Sequence, residues 1–193
     1  MISPGSAGNA RQAFEALTQE HLPRLYAFAL RLTGEHAAAE DLVQETYLKA
    51  YQAFHQFIPD RDAHPWLMKI LLNTFRDRVR RECHAPTSFC PEDLDVWYQA
   101  SWQSHRSRIR AVGPEEQVIA RSFADEVAAA LDDLSPDFRT VVLLADIEGY
   151  SYREIADLVE CPLGTVMSRL ARGRKILRET LREYARKHGL IEG

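Results

Sequence analysis

The stretch SYREIADLVECPLGTVMSRLARGRKIL, Ser151–Leu177, decides the fold of the second half of the chain. Ser151 and Glu154 have the spacing of a capping box, which predicts that a helix begins here. Pro162 and Gly164 then interrupt the helical pattern before a longer, basic segment. A short helix, a four-residue break containing glycine and a longer basic helix together predict a helix-turn-helix.

The longer helix has two opposite faces when it is plotted at 100° per residue. We expect the apolar face to pack on the preceding helices; it consists of Leu163, Val166, Leu170, Gly173, Leu177 and Leu181. The opposite face, with Met167 at its edge, consists of Ser168, Ala171, Arg172, Lys175 and Arg178. Arginine and lysine on an exposed recognition helix reach phosphates and guanine edges in the major groove. If this helix stood alone, a solvated basic face would be the better interpretation of its charged residues. The capped helix and the break that precede it make DNA binding the better interpretation.

Composition limits the class of protein. The chain has 193 residues, of which 46% are hydrophobic and 27% are charged, as in a globular protein of one or two domains. It has no apolar run long enough to cross a bilayer and no signal-peptide pattern, so we expect a cytoplasmic protein without membrane insertion. Its three cysteines lack CxxC spacing and provide no disulfide framework.

Charge is segregated along the chain, although the formal net charge is only −4. Cys161–Lys187 holds eight basic and two acidic residues, whereas Glu115–Asp137 holds seven acids and one base. A second basic run, Arg76–Arg81, contains four arginines. This segregation indicates surfaces with different partners, one of them an anion, while solvated helix faces remain the simpler alternative.

The periodicity of the chain predicts an all-α fold, because strand signals are nearly absent. We predict two small helical domains, residues 12–82 and 115–188, joined by a linker at 83–114, with the helix-turn-helix in the second domain. The linker contains three aromatic residues that are unusual for a flexible tether: Trp97, Tyr98 and Trp102.

The start of the second domain contains two further helix signals. Val118–Leu134 is predicted as one helix, and Pro136–Glu148 as the next, with Ser135 as its cap and Pro136 in its first position. Gly149 is predicted to end the second of these helices, as a glycine just after its C-terminus.

Ala37–Phe54 is predicted to form a helix with an unusual exposed face. Its core arc holds Val43, Tyr47, Ala50 and Phe54. This predicted helix is labelled α2, and its opposite arc, named here the α2 outer face, consists of Asp41, Gln44, Glu45, Leu48 and Gln52. Leu48 is the only aliphatic residue of that face; it is either an incidental exposed leucine or the apolar anchor of a docking patch with a polar rim.

Pro65–Arg81 is predicted as a helix that begins with proline in its first position. One arc holds Lys69, Asn73, Arg76 and Arg80, while Leu67, Ile70 and Leu71 face the core. Amide and guanidinium groups beside Trp66 and Phe75 suit phosphates and unstacked bases, although a solvated face remains the alternative.

Sequence motifs for enzymes and metal sites are lacking. There is no Gly-rich phosphate loop, no HExxH and no nucleophile motif, so we expect no enzyme activity and no cofactor. Cys83, His84 and Cys90 are three potential metal ligands without a standard zinc spacing, and we predict no metal site.

Three stretches resemble one family. AEDLVQETYLKAYQAFHQF (39–57) followed by PWLMKILLNTFRDRVRR (65–81) is similar to region 2 of bacterial RNA polymerase sigma factors. The segment from Leu134 to Leu177, LSPDFRTVVLLADIEGYSYREIADLVECPLGTVMSRLARGRKIL, is similar to region 4. Two regions and a linker resemble the small extracytoplasmic-function (ECF) branch. The resemblance implies a monomer that binds core RNA polymerase and promoter DNA and is controlled by an anti-sigma factor.

The resemblance also implies site residues by matching position. Core polymerase would contact Asp41, Gln44, Glu45, Leu48 and Gln52. The −10 element would contact Lys69, Asn73, Arg76, Arg78 and Arg80. The −35 element would contact Thr165, Met167, Ser168, Arg169, Arg172, Arg174 and Lys175.

Three positions depart from the common family pattern. Met167 stands where a basic residue is frequent and Ala171 where a larger one is, so the −35 preference is expected to differ from that of a typical relative. Gly173 replaces a common alanine, which is expected to loosen the helix interior by about 1 kcal/mol.

Two other functions fit the residues less well. One is a dimeric helix-turn-helix repressor or activator, which would need a dimer surface and two half-sites on the operator. The other is an adaptor that binds another protein through the α2 outer face and binds no DNA.

Overall fold

The computed structural model describes the backbone of residues 4–58, 61–83 and 123–187. Across these ranges the chain is helical and contains no strand. It divides into two compact units, Met1–His84 and Ala85–Gly193. The predicted all-α class with two helical domains is confirmed. None of the helices in the described ranges is long and apolar enough to cross a membrane.

The described residues of the first unit form three α-helices: α1 (Pro4–Thr33), α2 (His36–Ala53) and α3 (Ala63–Cys83). A 3₁₀ turn, Phe54–Gln56, follows α2. Their apolar faces meet in a core whose largest fully buried side chains are Leu25, Phe28, Leu32, Leu42, Leu67, Met68 and Leu71. Burial of this kind stabilises helices that would be marginal in isolation.

Helix α3 begins two residues earlier than the proline signal predicts. Ala63 is its first residue, and Pro65 is the third. The carboxylate of Asp62 accepts a hydrogen bond from the His64 backbone N–H at 2.9 Å, which caps the helix at this earlier position. Proline is tolerated here because the N–H groups of the first turn have no partner within the helix.

Cys83, the first residue of the predicted linker, is the last residue of α3. The rest of the predicted linker lies outside the described residues, including His84, Cys90, Trp97, Tyr98 and Trp102. The predicted start of a helix at Val118 also lies outside them. The domain limits 12–82, 83–114 and 115–188 therefore stay predictions.

The described part of the second unit, residues 123–187, contains four α-helices: α4 (Phe123–Asp132), α5 (Pro136–Val142), α6 (Tyr152–Val159) and α7 (Leu163–Lys187). The predicted helix over Pro136–Glu148 is only partly correct, because a π-helical turn, Leu143–Ile147, replaces its last part. The wider turn is closed by the Glu148 N–H, which donates to the Leu143 carbonyl at 3.0 Å. Gly149 follows with φ +76°, as its predicted C-terminal role requires.

Ser135 occupies the N-cap position of α5, and Pro136 is the first helical residue, as predicted. However, the Ser135 hydroxyl makes no capping hydrogen bond within the described part of the chain. The Ser135 carbonyl accepts the first hydrogen bond of the helix, from the Arg139 N–H at 2.9 Å.

The capping box of α6 is confirmed in both directions. The Ser151 N–H donates to Glu154 Oε2 at 2.8 Å, and the Glu154 N–H donates to Ser151 Oγ at 3.3 Å. The hydrogen bond from Ser151 lowers the pKa of the Glu154 carboxyl, because it favours the charged form.

The turn between α6 and α7 uses a different residue from the one predicted. Gly164 is the second residue of α7, so the break itself contains no glycine. Glu160 makes the turn in the left-handed region, with φ 53°, and the Cys161 N–H closes it on the Ala156 carbonyl at 3.1 Å.

The apolar face of α7 packs as predicted at Val166, Leu170 and Gly173, which are buried, while Leu177 and Leu181 are half-buried. The prediction that Leu163 packs on the preceding helices is wrong, because this residue is 40% exposed. It lies in the first turn of the helix, immediately after the connection from α6, and so before the part of α7 that is buried in the core.

Gly173 marks a close approach between α7 and α5. A Cβ atom at this position would lie 2.9 Å from Cγ2 of Val142 and 3.6 Å from Cβ of Phe138. Val142 is buried and β-branched, so its methyl group has little freedom to move. Glycine therefore permits close packing of α7 on α5. The prediction that Gly173 loosens the helix considered helix propensity alone and not this contact.

We expect Gly173→Ala to destabilise the protein. The gain in helix propensity is about 1 kcal/mol, but overpacking a core costs about 1–3 kcal/mol, so the net loss is about 1 kcal/mol. In a Val142→Ala background the same change should be stabilising, because the obstructing methyl group is absent. Denaturant unfolding of the four proteins in this double-mutant cycle tests the contact. Equal effects of Gly173→Ala in both backgrounds would contradict it.

Candidate polymerase and promoter interfaces

Leu48, the aliphatic residue of the α2 outer face, is largely exposed. It is 59% exposed, although the opposite side of the same helix is buried at Leu42, Val43 and Ala50. Asp41, Gln44 and Gln52 are exposed on the same side as Leu48. The arrangement is an apolar centre with a polar rim.

Tyr51 extends this apolar surface and was missed by the sequence analysis. It is half exposed and lies three residues after Leu48, so the two side chains are neighbours on the helix surface. Its ring packs edge-on against Phe14, with a centroid distance of 5.2 Å, which holds the ring in place. The i, i+3 spacing from Leu48 was the available signal.

Glu45 is the inward member of the α2 outer face and joins α2 to α3. Its Oε2 accepts hydrogen bonds from Arg78 Nε at 2.9 Å and Arg78 Nη2 at 2.8 Å. Its Oε1 lies 3.0 Å from Lys49 Nζ. The hydrogen bond from Lys49, followed by that from Arg78, lowers the pKa of the Glu45 carboxyl, because each favours the anion.

Arg78 therefore lies in an interhelical contact, away from the other predicted −10 residues. Besides Glu45, its Nη2 donates to the Asp41 carbonyl at 2.9 Å. Arg78 is five residues beyond Asn73, which rotates it about 140° from that arc. The guanidinium predicted for DNA is instead bonded to two residues predicted for polymerase.

The remaining predicted −10 residues share one arc of α3. Lys69 and Arg80 are exposed, and Asn73 and Arg76 are half-buried. A row of aromatic rings lies at the N-terminal end of this helix: Trp66 is 5.0 Å from Phe57, and Phe57 stacks on Phe54 at 5.9 Å. Cationic and amide groups beside aromatic rings are suited to single-stranded nucleic acid.

The outward face of α7 carries the predicted −35 residues in part. Met167, Arg172 and Lys175 are exposed, as is Ala171. Thr165 and Ser168 are half-buried, and the Ser168 hydroxyl donates to the Thr165 carbonyl at 3.0 Å. These residues form one continuous strip on the recognition helix.

Arg169 and Arg174 are engaged within the second unit rather than on that strip. Arg169 Nη2 lies 2.9 Å from Asp137 Oδ2 of α5, and its side chain is only 13% exposed. Arg174 makes a forked contact with Asp146, from Nη2 to Oδ1 at 2.6 Å and from Nε to Oδ2 at 3.2 Å. The hydrogen bond to Asp146 raises the pKa of Arg174. Arg169 attaches α7 to α5, and Arg174 attaches it to the π-helical turn that follows α5.

Comparison with known proteins gives the family. Residues 17–83 match the model of Sigma-70 region 2, and residues 124–177 match that of Sigma-70, region 4. Together these matches cover more than half of the chain. The chain belongs to the extracytoplasmic-function RNA polymerase sigma factors. As a sigma factor it is a transcription initiation factor and not an enzyme.

Similar proteins from several bacteria support the assignment. The ECF RNA polymerase sigma factor SigE of Mycolicibacterium smegmatis is 38% identical over 182 residues, which are 93% of this chain and 64% of SigE. The RNA polymerase sigma factor CarQ of Myxococcus xanthus is 33% identical over 90% of this chain and 92% of CarQ. The sigma factor RpoE of Bartonella quintana, solved in complex with the anti-sigma factor NepR, aligns with a TM-score of 0.62 and 29% identity, covering 88% of this chain and 96% of RpoE.

The Glu45 contacts should make the stability of this sigma factor depend on pH. Because the pKa of Glu45 is lowered in the folded state, its stabilising contribution is present above the unfolded value of 4.5 and is lost as the pH falls through the folded pKa. We expect the difference in free energy of unfolding between wild type and Glu45→Gln to be largest at pH 7 and to shrink toward pH 3. Glu40→Gln, which removes an exposed carboxylate of the same helix, is the control. A difference independent of pH would contradict the ion pairing.

Proposed function

We propose that this sigma factor binds core RNA polymerase through the α2 outer face, with Leu48 as the apolar anchor. The observation that carries the proposal is the exposure of Leu48 inside a polar rim, next to the half-exposed Tyr51. Asp41, Gln44 and Gln52 provide that rim. Glu45 contributes through the position of its helix and through its bond to Arg78, which keeps α2 and α3 in register.

Capture of the melted −10 strand is assigned to α3. Lys69 and Arg80 would contact phosphates, and Asn73 and Arg76 would contact an unstacked base and its neighbours. Arg78 acts here as a positioning residue through Glu45 and the Asp41 carbonyl. Base contacts by amide groups and phosphate contacts by cations are the usual division of such a surface.

Recognition of the −35 element is assigned to the outward strip of α7. Arg172 and Lys175 supply cations, and Thr165, Met167 and Ser168 supply the shape of the surface. Arg169 and Arg174 are positioning residues, because their guanidinium groups are held by Asp137 and Asp146. With Met167 and Ala171 on the strip, the preferred −35 sequence would differ from that of relatives with a cation and a larger residue there.

The proposed cellular setting follows from the relatives. RpoE of Bartonella quintana is bound by the anti-sigma factor NepR, and we infer that an anti-sigma factor likewise controls this chain by covering its polymerase-binding surface. The free protein would be a cytoplasmic monomer. Released from its inhibitor, it would bind core polymerase and leave nucleotide chemistry to that enzyme.

Gel filtration with and without core RNA polymerase, followed by run-off transcription from a genomic promoter library, tests the function. The expected result is a monomer alone, a stable complex with core polymerase, and transcripts that share one −35 and −10 motif. A dimer that binds a two-fold operator without polymerase would establish the repressor alternative. Failure to form any complex with core polymerase would refute the proposal.

We expect Arg172→Ala to lower promoter use by roughly tenfold, equivalent to about 1.4 kcal/mol, because one contact to a base or phosphate is lost. Thermal stability should be unchanged, since the side chain is exposed. The measurement is run-off transcription on a set of −35 variants, with Arg31→Ala at the end of α1 as a matched exposed control. Identical profiles for wild type and Arg172→Ala would remove Arg172 from the interface.

A further inference from the structure

The C-terminal half of α7 carries three arginines that the proposed −35 site does not use. Arg178, Arg182 and Arg186, named here the arginine stripe, are all exposed. They are four residues apart, so each lies about one turn beyond the last. At 100° per residue they fall on the same arc as Lys175, so they continue the outward strip of the recognition helix.

The arginine stripe differs from the other arginines of α7 in its surroundings. Arg169 and Arg174 each form an ion pair with an aspartate, Asp137 of α5 and Asp146 of the π-helical turn, respectively. No member of the stripe forms an ion pair with any residue that the structure describes. One acid with a described side chain shares the arc: Glu179, which is 66% exposed and lies 4.0 Å from Lys175 Nζ.

The length of α7 explains why Arg182 and Arg186 would not enter the same groove as Arg172. The helix has 25 residues and is therefore about 37 Å long. The major groove is about 12 Å wide, so a straight helix that inserts its first turns extends beyond the groove edge. Arg186 lies about 16 Å beyond Lys175, at which distance the nearest part of the duplex is a phosphate backbone.

We propose that the arginine stripe binds phosphates of the duplex that flanks the −35 element and does not read bases. The inference rests on the proposed role of α7 at the −35 element. A row of cations on one helix face complements the regular negative charge of duplex DNA, and phosphate contacts of this kind position a protein without sequence preference. A merely solvated face would make no contribution that depends on the length of the DNA.

The test uses the holoenzyme assembled from core polymerase and the triple variant R178Q/R182Q/R186Q. Its dissociation constant for a promoter fragment is measured between 50 and 200 mM KCl. Each lost phosphate contact reduces the slope of log K against log salt by about 0.9, so the affinity ratio across this range should shrink by roughly 40-fold relative to wild type. E179Q, which removes the acid of the same face, should change binding in the opposite direction.

Two additional templates make the result specific. On a fragment whose duplex ends at the edge of the −35 element, wild type and triple variant should bind alike. On fragments with substituted −35 bases, the loss of affinity should be the same for both proteins, because the stripe does not read bases. An unchanged salt slope on the long fragment, or an altered −35 base preference, would overturn the proposal.

The failure of this inference is distinguishable from failure of the proposed function. Gel filtration first establishes that the triple variant forms the complex with core polymerase as wild type does. If neither protein forms it, the proposed function fails. If both form it and the salt slopes are equal, the arginine stripe alone is refuted. Reduced binding of an acidic protein partner, with unchanged DNA binding, would assign the stripe to that partner and also refute the proposal.

Discussion

Replacing Leu48 with arginine is expected to weaken holoenzyme formation strongly while leaving the sigma factor folded. Leu48 is 59% exposed and contributes little to the core, so the thermal unfolding temperature should stay near that of wild type. A central apolar anchor of an interface contributes at least about 2 kcal/mol, and a buried charge without a partner adds to the loss, so affinity for core polymerase should fall by roughly 30-fold or more.

Two leucines provide matched controls for Leu48→Arg. Leu22→Arg changes another exposed leucine of the same unit, on α1, and should leave the affinity for core polymerase unchanged. Leu42→Arg changes a fully buried leucine of the same helix and should unfold the first unit. The measurements are gel filtration with core polymerase and circular dichroism of each variant. If Leu48→Arg lowers the unfolding temperature as strongly as Leu42→Arg, Leu48 belongs to the core and the assigned interface is wrong.

Arg139→Ala is expected to destabilise the second unit by about 3 kcal/mol. The side chain of Arg139 is only 2% exposed, and Nη1 lies 3.1 Å from Asp132 Oδ1. Its Nη2 donates to the Asp132 carbonyl at 2.9 Å and to the Leu134 carbonyl at 3.4 Å, which joins the end of α4 to α5. Removing one partner of a buried ion pair costs about 3–5 kcal/mol; Asp132 is 30% exposed, which favours the lower end.

Hydrogen exchange locates the effect of Arg139→Ala. Protection should decrease throughout α4 to α7 and remain unchanged in α1 to α3, because the two units have separate cores. Use of promoters that depend on the −35 element should fall at temperatures where the second unit unfolds. Arg172→Ala is the control for loss of a guanidinium without loss of structure. Unfolding of wild type and Arg139→Ala at the same denaturant concentration would show that the buried contacts contribute no net stability.

Much of the fold was predictable because helix formation depends on local signals. The capping box of Ser151 and Glu154, Pro136 at the first position of α5, and Gly149 after the π-helical turn all depend on residues within one turn. The apolar period likewise predicted the burial of Val166 and Leu170. Boundaries were less accurate: Asp62 capped α3 before Pro65, and the last turn of α5 widened into a π-helical turn.

The candidate sites show where local signals are insufficient. Exposure of Leu48 and Arg172 followed from helical period alone, and the structure agrees. Period alone did not reveal that Arg78 bonds to Glu45, 33 residues away, or that Arg174 bonds to Asp146, 28 residues away. Whether a guanidinium is available to DNA depends on which acid the packing of another helix brings within about 3 Å, as in a charge-assisted hydrogen bond.

For this sigma factor, the sequence by itself determined the helices, the helix-turn-helix and the charged faces, because each depends on neighbours within a few residues. Only the tertiary structure decided which charges remain available and why Gly173 is glycine. Gly173 meets Val142 because α7 and α5 pack closely, a contact between residues 31 positions apart. Such contacts depend on how whole helices are arranged in space, which no short window of sequence contains.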